Sequence, residues 1–66
     1  MAVARVTTIT AGSSQGFNQA VEEGINRAAK TLRGITGFKV RSVKGKVEKG
    51  KIVDYRVNLE VTFILE

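Results

Sequence analysis

The residues of this chain best equipped for chemistry are its cations. Lys39, Arg41, Lys44, Lys46, Lys49 and Lys51 fall within one short stretch, and the formal net charge of the 66 residues is +5. Such a cluster attracts phosphate groups, which raises a nucleic acid or an anionic small molecule as a partner class. Binding of single strands also needs aromatic platforms for the bases. Here no aromatic is interleaved with the cations, so DNA or RNA readout is disfavoured against a solvated face or a phosphate contact. Residues 45–51, "GKVEKGK", satisfy G-x-x-x-x-G-K. A P-loop also needs Ser or Thr after the Lys and a following helix. Ile52 follows here, so the segment reads as a basic hairpin tip.

The anionic side is thinner. The acids are Glu22, Glu23, Glu48, Asp54, Glu60 and Glu66, and no pair has the spacing of an acid–base dyad. Asp54 and Glu60 share one parity six residues apart, and only oligomer symmetry brings such acids together around a hard cation such as Ca²⁺ or Mg²⁺. The chain contains no His and no Cys. The usual general base, thiol nucleophile and zinc ligands are therefore missing. The reading is a non-enzyme with no catalytic residue. "GSSQG", residues 12–16, offers hydroxyls and amides to an anion. The same residues are ordinary helix starters, with Ser13 or Ser14 as the N-cap, and that reading is preferred.

The elements that position these groups follow from periodicity. "VARVTTIT", residues 3–10, is rich in Val, Thr and Ile and predicts a first strand with neither face cleanly apolar. A helix follows from about Gln15 to Arg33. Phe17, Ala20, Val21, Gly24, Ile25, Ala28 and Leu32 fall on one helical face. Gly24 inside that stripe costs up to about 1 kcal/mol of propensity relative to Ala, and close packing on a sheet is the expected compensation. Gly34 stands where a left-handed residue belongs after the helix. Residues 37–47 predict a second strand. Phe38 and Val40 have one parity and Val43 and Val47 the other, so a β-bulge near Arg41–Ser42 is needed to keep one apolar face. "EKGK", residues 48–51, predicts a tight turn with positive φ at Gly50.

The last strand is the clearest. Val53, Tyr55, Val57, Leu59, Val61, Phe63 and Leu65 alternate with Asp54, Arg56, Asn58, Glu60, Thr62, Ile64 and Glu66. One face is wholly apolar; the other suits a subunit interface or a lined cavity. The order β-α-β-β gives an α+β domain in which a three-stranded antiparallel sheet curls around one amphipathic helix.

So short a chain buries only about 60% of the surface it exposes when unfolded. Without disulfides, oligomerisation is the expected source of further stability. No apolar run reaches the ~18 residues of a membrane span. The start of the chain has no signal-like apolar core, so a cytoplasmic location is expected.

The pattern resembles the dodecins over nearly the whole chain. The resemblance rests on "ITAGSSQGFNQAVEEGINRAAKTLRGI" and on "YRVNLEVTFIL". It implies a single domain over residues 1–66 and a hollow homododecamer with cubic symmetry. It also implies a small-ligand binding or storage role, with FMN or riboflavin held in stacked pairs between subunits. Flavin-binding members place a Trp just after the helix and a Gln in the last strand. The stretch "GFKV" puts Gly37 at the Trp position, and Arg56 stands at the Gln position. The resemblance therefore implies a flavin site altered or lost, with Gly37, Phe38 and Arg56 as the candidate ligand-binding residues. Guanidinium only donates hydrogen bonds, so Arg56 cannot replace the Gln as an acceptor. Flavin binding through Phe38 and Arg56 remains an alternative. For Phe38 to serve, a bulge at Gly37 would have to turn it outward; its spacing with Val40 favours the core-facing side. A cation at subunit interfaces is a further open alternative, its identity unknown.

Overall fold

The computed structural model describes residues 3–65. It contains β1 (Val3–Ser13), α1 (Phe17–Thr31), β2 (Ile35–Glu48) and β3 (Lys51–Leu65). The three strands form one antiparallel sheet in the order β1-β3-β2. This is the expected β-α-β-β architecture, with the most strongly alternating strand at the centre. The helical connection carries the chain over one face of the sheet, so β1 pairs with β3 rather than with its neighbour in sequence.

The apolar parity of β3 decides which face the helix covers. Val57, Leu59 and Val61 are almost fully buried, and Ala20 and Ala28 of α1 lie against that side of the sheet. Full burial of each of these aliphatic side chains on β3 contributes about 1.5–3 kcal/mol. On β1 the odd positions face the same way, pairing Ile9 with Leu59 and Ala11 with Val57. Gly24 sits where α1 approaches most closely. A Cβ there would lie 2.9 Å from Ala11 Cβ and 3.2 Å from Leu59 Cδ1. The glycine is thus required by packing, as its place in the helical stripe suggested.

Several boundaries differ from expectation. β1 runs on through Ala11, Gly12 and Ser13, because the pairing with Val57, Arg56 and Tyr55 continues past the β-branched residues. The helix N-cap is Gly16, not Ser13 or Ser14, and no side chain caps it. Ser13 is still in the strand; its Oγ accepts the Gln15 N–H at 3.0 Å and so shapes the turn instead. At the other end the helix stops earlier than Arg33. Leu32 is already extended and donates its N–H to the Ala28 carbonyl at 2.8 Å. Gly34 does adopt a left-handed φ of 72°, but two residues beyond the helix. There it turns the chain into β2, and its carbonyl accepts the Ile64 N–H at 3.0 Å.

β2 contains the expected irregularity. The register shifts between Val40 and Ser42, leaving Arg41 as the extra residue. Val40 and Val43 then both take the helix-facing side, opposite Leu59 and Val57. Two further shifts leave Thr36 on β2 and Val53 on β3 unpaired. The turn between β2 and β3 has positive φ at both Lys49 (53°) and Gly50 (75°), the two-residue geometry whose twist suits a hairpin. Its outer end extends past the last β1 pair, Ser13 with Tyr55. The long axis of the molecule is 52 Å.

Candidate functional site

The face of the sheet away from α1 is built by alternation. β3 presents Asp54, Arg56, Asn58, Glu60 and Thr62 there, and register sets their neighbours. Gly37 and Val6 flank Thr62. Lys39 and Thr8 flank Glu60. Ser42 and Thr10 flank Asn58, and Lys44 and Gly12 flank Arg56. The face is polar and mixed in charge, as the sequence indicated.

Its side chains are partly committed to one another. Asn58 Nδ2 donates to Thr10 Oγ1 at 3.1 Å across the strands. Arg56 Nε donates to Asp54 Oδ2 at 2.8 Å. Arg41, thrown out by the bulge, reaches Glu60 at 3.6 Å. These ion pairs are exposed enough that each adds at most about 1 kcal/mol to stability. Their effect is positional: each of the two acids on this face holds an arginine in place. Thr10, Ser42, Lys44, Arg56 and Asn58 surround a shallow depression of about 230 Å³. Two cationic donors and several neutral hydrogen-bonding groups therefore converge on one spot, an arrangement that recognises an anion by charge and hydrogen bonding.

Gly37 and Arg56 lie on this same face, but not together within one chain. They pair with Thr62 and with the Arg56 row respectively, six residues apart along β3, or about 20 Å. A Cβ built on Gly37 meets no heavy atom within 4 Å. The position is open to a large side chain and carries none.

Phe38 lies on the opposite side. It pairs with Val61 and shares the helix-facing side with Val40. The bulge beside it falls at Thr36, one residue before Gly37, so alternation resumes with Gly37 outward and Phe38 inward. Phe38 is half exposed, because α1 packs across β1 and β3 while β2 reaches to its side. Together with Val40, Val21, Ile25 and Glu22 it lines an open groove of about 650 Å³.

The remaining candidates resolve simply. "GKVEKGK" is the hairpin tip, with no helix after it. The recess at "GSSQG" is also lined by Glu22 and Glu23, which disfavours an anion there. Phe17 and Tyr55 stack edge to face, centroids 5.0 Å apart, on the core side. Among the described residues no group of three or more acids is placed to hold a metal ion, and no helix is long and apolar enough to cross a membrane.

Sequence reasoning singled out Arg56 but not its neighbours. The parity of β3 could have supplied Asn58, and counting outward from the Arg41 bulge could have supplied Ser42 and Lys44. Thr10 needed the β1 register, which only the fold provides.

Known proteins give this geometry its context. The Dodecin family model matches residues 3–66. A dodecin from Thermus thermophilus is 37% identical over 54 residues, covering 82% of this chain and 78% of that protein. The structure of a dodecin from Streptomyces davaonensis superposes with a TM-score of 0.94 at 38% identity, covering 98% of this chain and 96% of the other. A calcium dodecin from Mycobacterium tuberculosis, described as calcium-chelating, superposes with a TM-score of 0.83 at 32% identity over 97% and 91% of the two chains. On the strength of a match spanning almost every residue, in sequence and in fold, the chain belongs to the dodecin family.

Proposed function

We propose that this chain is a non-enzymatic small-ligand binding or storage protein. It works as a single domain over residues 1–66, assembled into a hollow homododecamer, and its flavin site is altered so that the usual ring platform is gone. The observation that carries this reading is the open space at Gly37, on the polar outer face and at the position where flavin-binding relatives are expected to carry a stacking Trp. An aromatic stacking partner contributes about 1–3 kcal/mol per nucleobase, and a flavin ring without one forgoes at least a comparable amount. The ligand class that remains is a small anion, held by Lys44 and Arg56 with Ser42, Asn58 and Thr10 around it. The small buried core, essentially one row of β3 against α1, supports assembly as the source of further stability.

The purified protein tests this directly. Native mass should correspond to a dodecamer, and its visible spectrum should lack flavin. Stoichiometric co-purified flavin would refute the altered site, and a monomer would refute the shell.

A shared cation is a second reading, supported by the calcium-chelating relative and by Asp54 and Glu60 standing on one face. Each acid already holds an arginine, so Ca²⁺ would have to displace it. Calorimetric titration with Ca²⁺ should then show saturable binding that Glu60→Gln abolishes; no heat at millimolar Ca²⁺ would dismiss it.

A further inference from the structure

The end of the β2–β3 hairpin is an arm without cover. From Lys46 and Asp54 outward it has no β1 neighbour, and it is a two-stranded ribbon. Such ribbons are marginal in water unless something packs on them. One side of the arm is apolar. Val43, Val47 and Ile52 lie on the helix-facing side at 58%, 61% and 56% exposure. The bulge at Val53 keeps Val47 and Ile52 directly opposite each other on that side.

The same chain carries a second apolar surface of the complementary kind. The groove between α1 and β2 has Phe38 and Val40 as its floor, Val21 and Ile25 as its wall, and Glu22 on its rim. The chain's own arm cannot reach it. Val47 is seven residues beyond Val40 on a nearly straight strand, or about 23 Å away.

Charge decides between the possible covers. Residues 43–53 hold four lysines against one glutamate, net +3. Two arms laid face to face would bring these like charges together. The groove instead offers Glu22, with Glu23 beside it on the helix. We infer that the β2–β3 arm of one copy docks in the α1–β2 groove of a second copy, Val47 and Ile52 against Val21, Ile25 and Phe38, with tip lysines Lys49 and Lys51 near Glu22. The contact is heterologous, one patch against a different patch, so repetition of it closes a ring rather than a simple pair. This deepens the homo-oligomeric reading above and rests on it.

The absence of cysteine from the chain makes the test clean. Disulfide formation needs Cα atoms within about 7 Å. A chain carrying both Ile25→Cys and Val47→Cys should therefore crosslink between copies under oxidation, running as dimers and higher multiples without reductant. Neither single variant should do so. As a second readout, Glu22→Lys should shift the native mass toward smaller species, and adding Lys49→Glu with Lys51→Glu should restore it. A wild-type oligomer whose double-cysteine form stays uncrosslinked would overturn the inference while leaving the assembly standing. Crosslinking of Val47→Cys alone would show arm against arm and overturn it too. A wild-type monomer at micromolar concentration would sink both the inference and the assembly it rests on.

Discussion

Replacing Gly24 by Ala sets two effects of known sign against each other. Alanine is the better helix former, and in an exposed helix the exchange stabilises by up to about 1 kcal/mol. At Gly24 the new methyl would lie 2.9 Å from Ala11 Cβ, 3.2 Å from Leu59 Cδ1 and 3.6 Å from Ile9 Cδ1. The first neighbour is a Cβ fixed to the β1 backbone, so relief requires the helix to move off the sheet. Overpacking of this kind costs about 1–3 kcal/mol. Packing wins, and Gly24→Ala should be destabilising by roughly 1–2 kcal/mol net. Urea unfolding at fixed protein concentration measures it, because an oligomer's apparent stability depends on concentration. Ala11→Gly removes the closest atom, so the double variant should recover part of the loss relative to the two single changes. Ala29→Gly, at an exposed helix position, calibrates the propensity side alone at about 1 kcal/mol. A Gly24→Ala protein more stable than wild type would refute the close-packing argument.

Two further substitutions test the frame around the site. Leu59→Ala removes the side chain at the centre of the core and should cost about 2–5 kcal/mol, read as a lower urea midpoint. Gly34→Ala forces a Cβ into a left-handed backbone, 3.3 Å from the Ile64 carbonyl oxygen, and should cost about 1–2 kcal/mol or more; a midpoint equal to wild type would show that the turn can reorganise.

Much of this molecule was legible because one strand speaks so clearly. The alternation of β3 names the buried row, and the parity break in β2 locates the Arg41 bulge before any coordinates are seen. The ends of elements were harder. Ala11, Gly12 and Ser13 read as a strand breaker, yet pairing with β3 carries them into the sheet, which in turn takes Ser13 away from the helix cap. The bulge at Thr36 left no trace, since it falls at the first turn of chain after the helix, where no apolar alternation has begun.

The site divides in the same way. Gly37 stands out only against the family pattern, since a glycine after a helix is otherwise unremarked. Phe38 shares the parity of Val40 and lies on the core-facing side, but half exposed, because α1 sits over β1 and β3; strand order, not alternation, decides that. Arg56 is one cation among eleven in the sequence, and its partners Asp54, Lys44 and Ser42 come from strand parity and from a register that depends on two bulges.

The central claim is that the outer face keeps the room for a flavin ring and lacks its contacts. Gly37→Trp with Arg56→Gln restores both groups at once, and the space at Gly37 admits the indole. Titration of flavin mononucleotide, followed by quenching of its own fluorescence, measures the consequence. About 1–3 kcal/mol of stacking corresponds to a gain of roughly 5–150-fold in affinity over wild type. Such a gain supports the account; a wild-type protein that already binds the flavin as tightly as the double variant contradicts it.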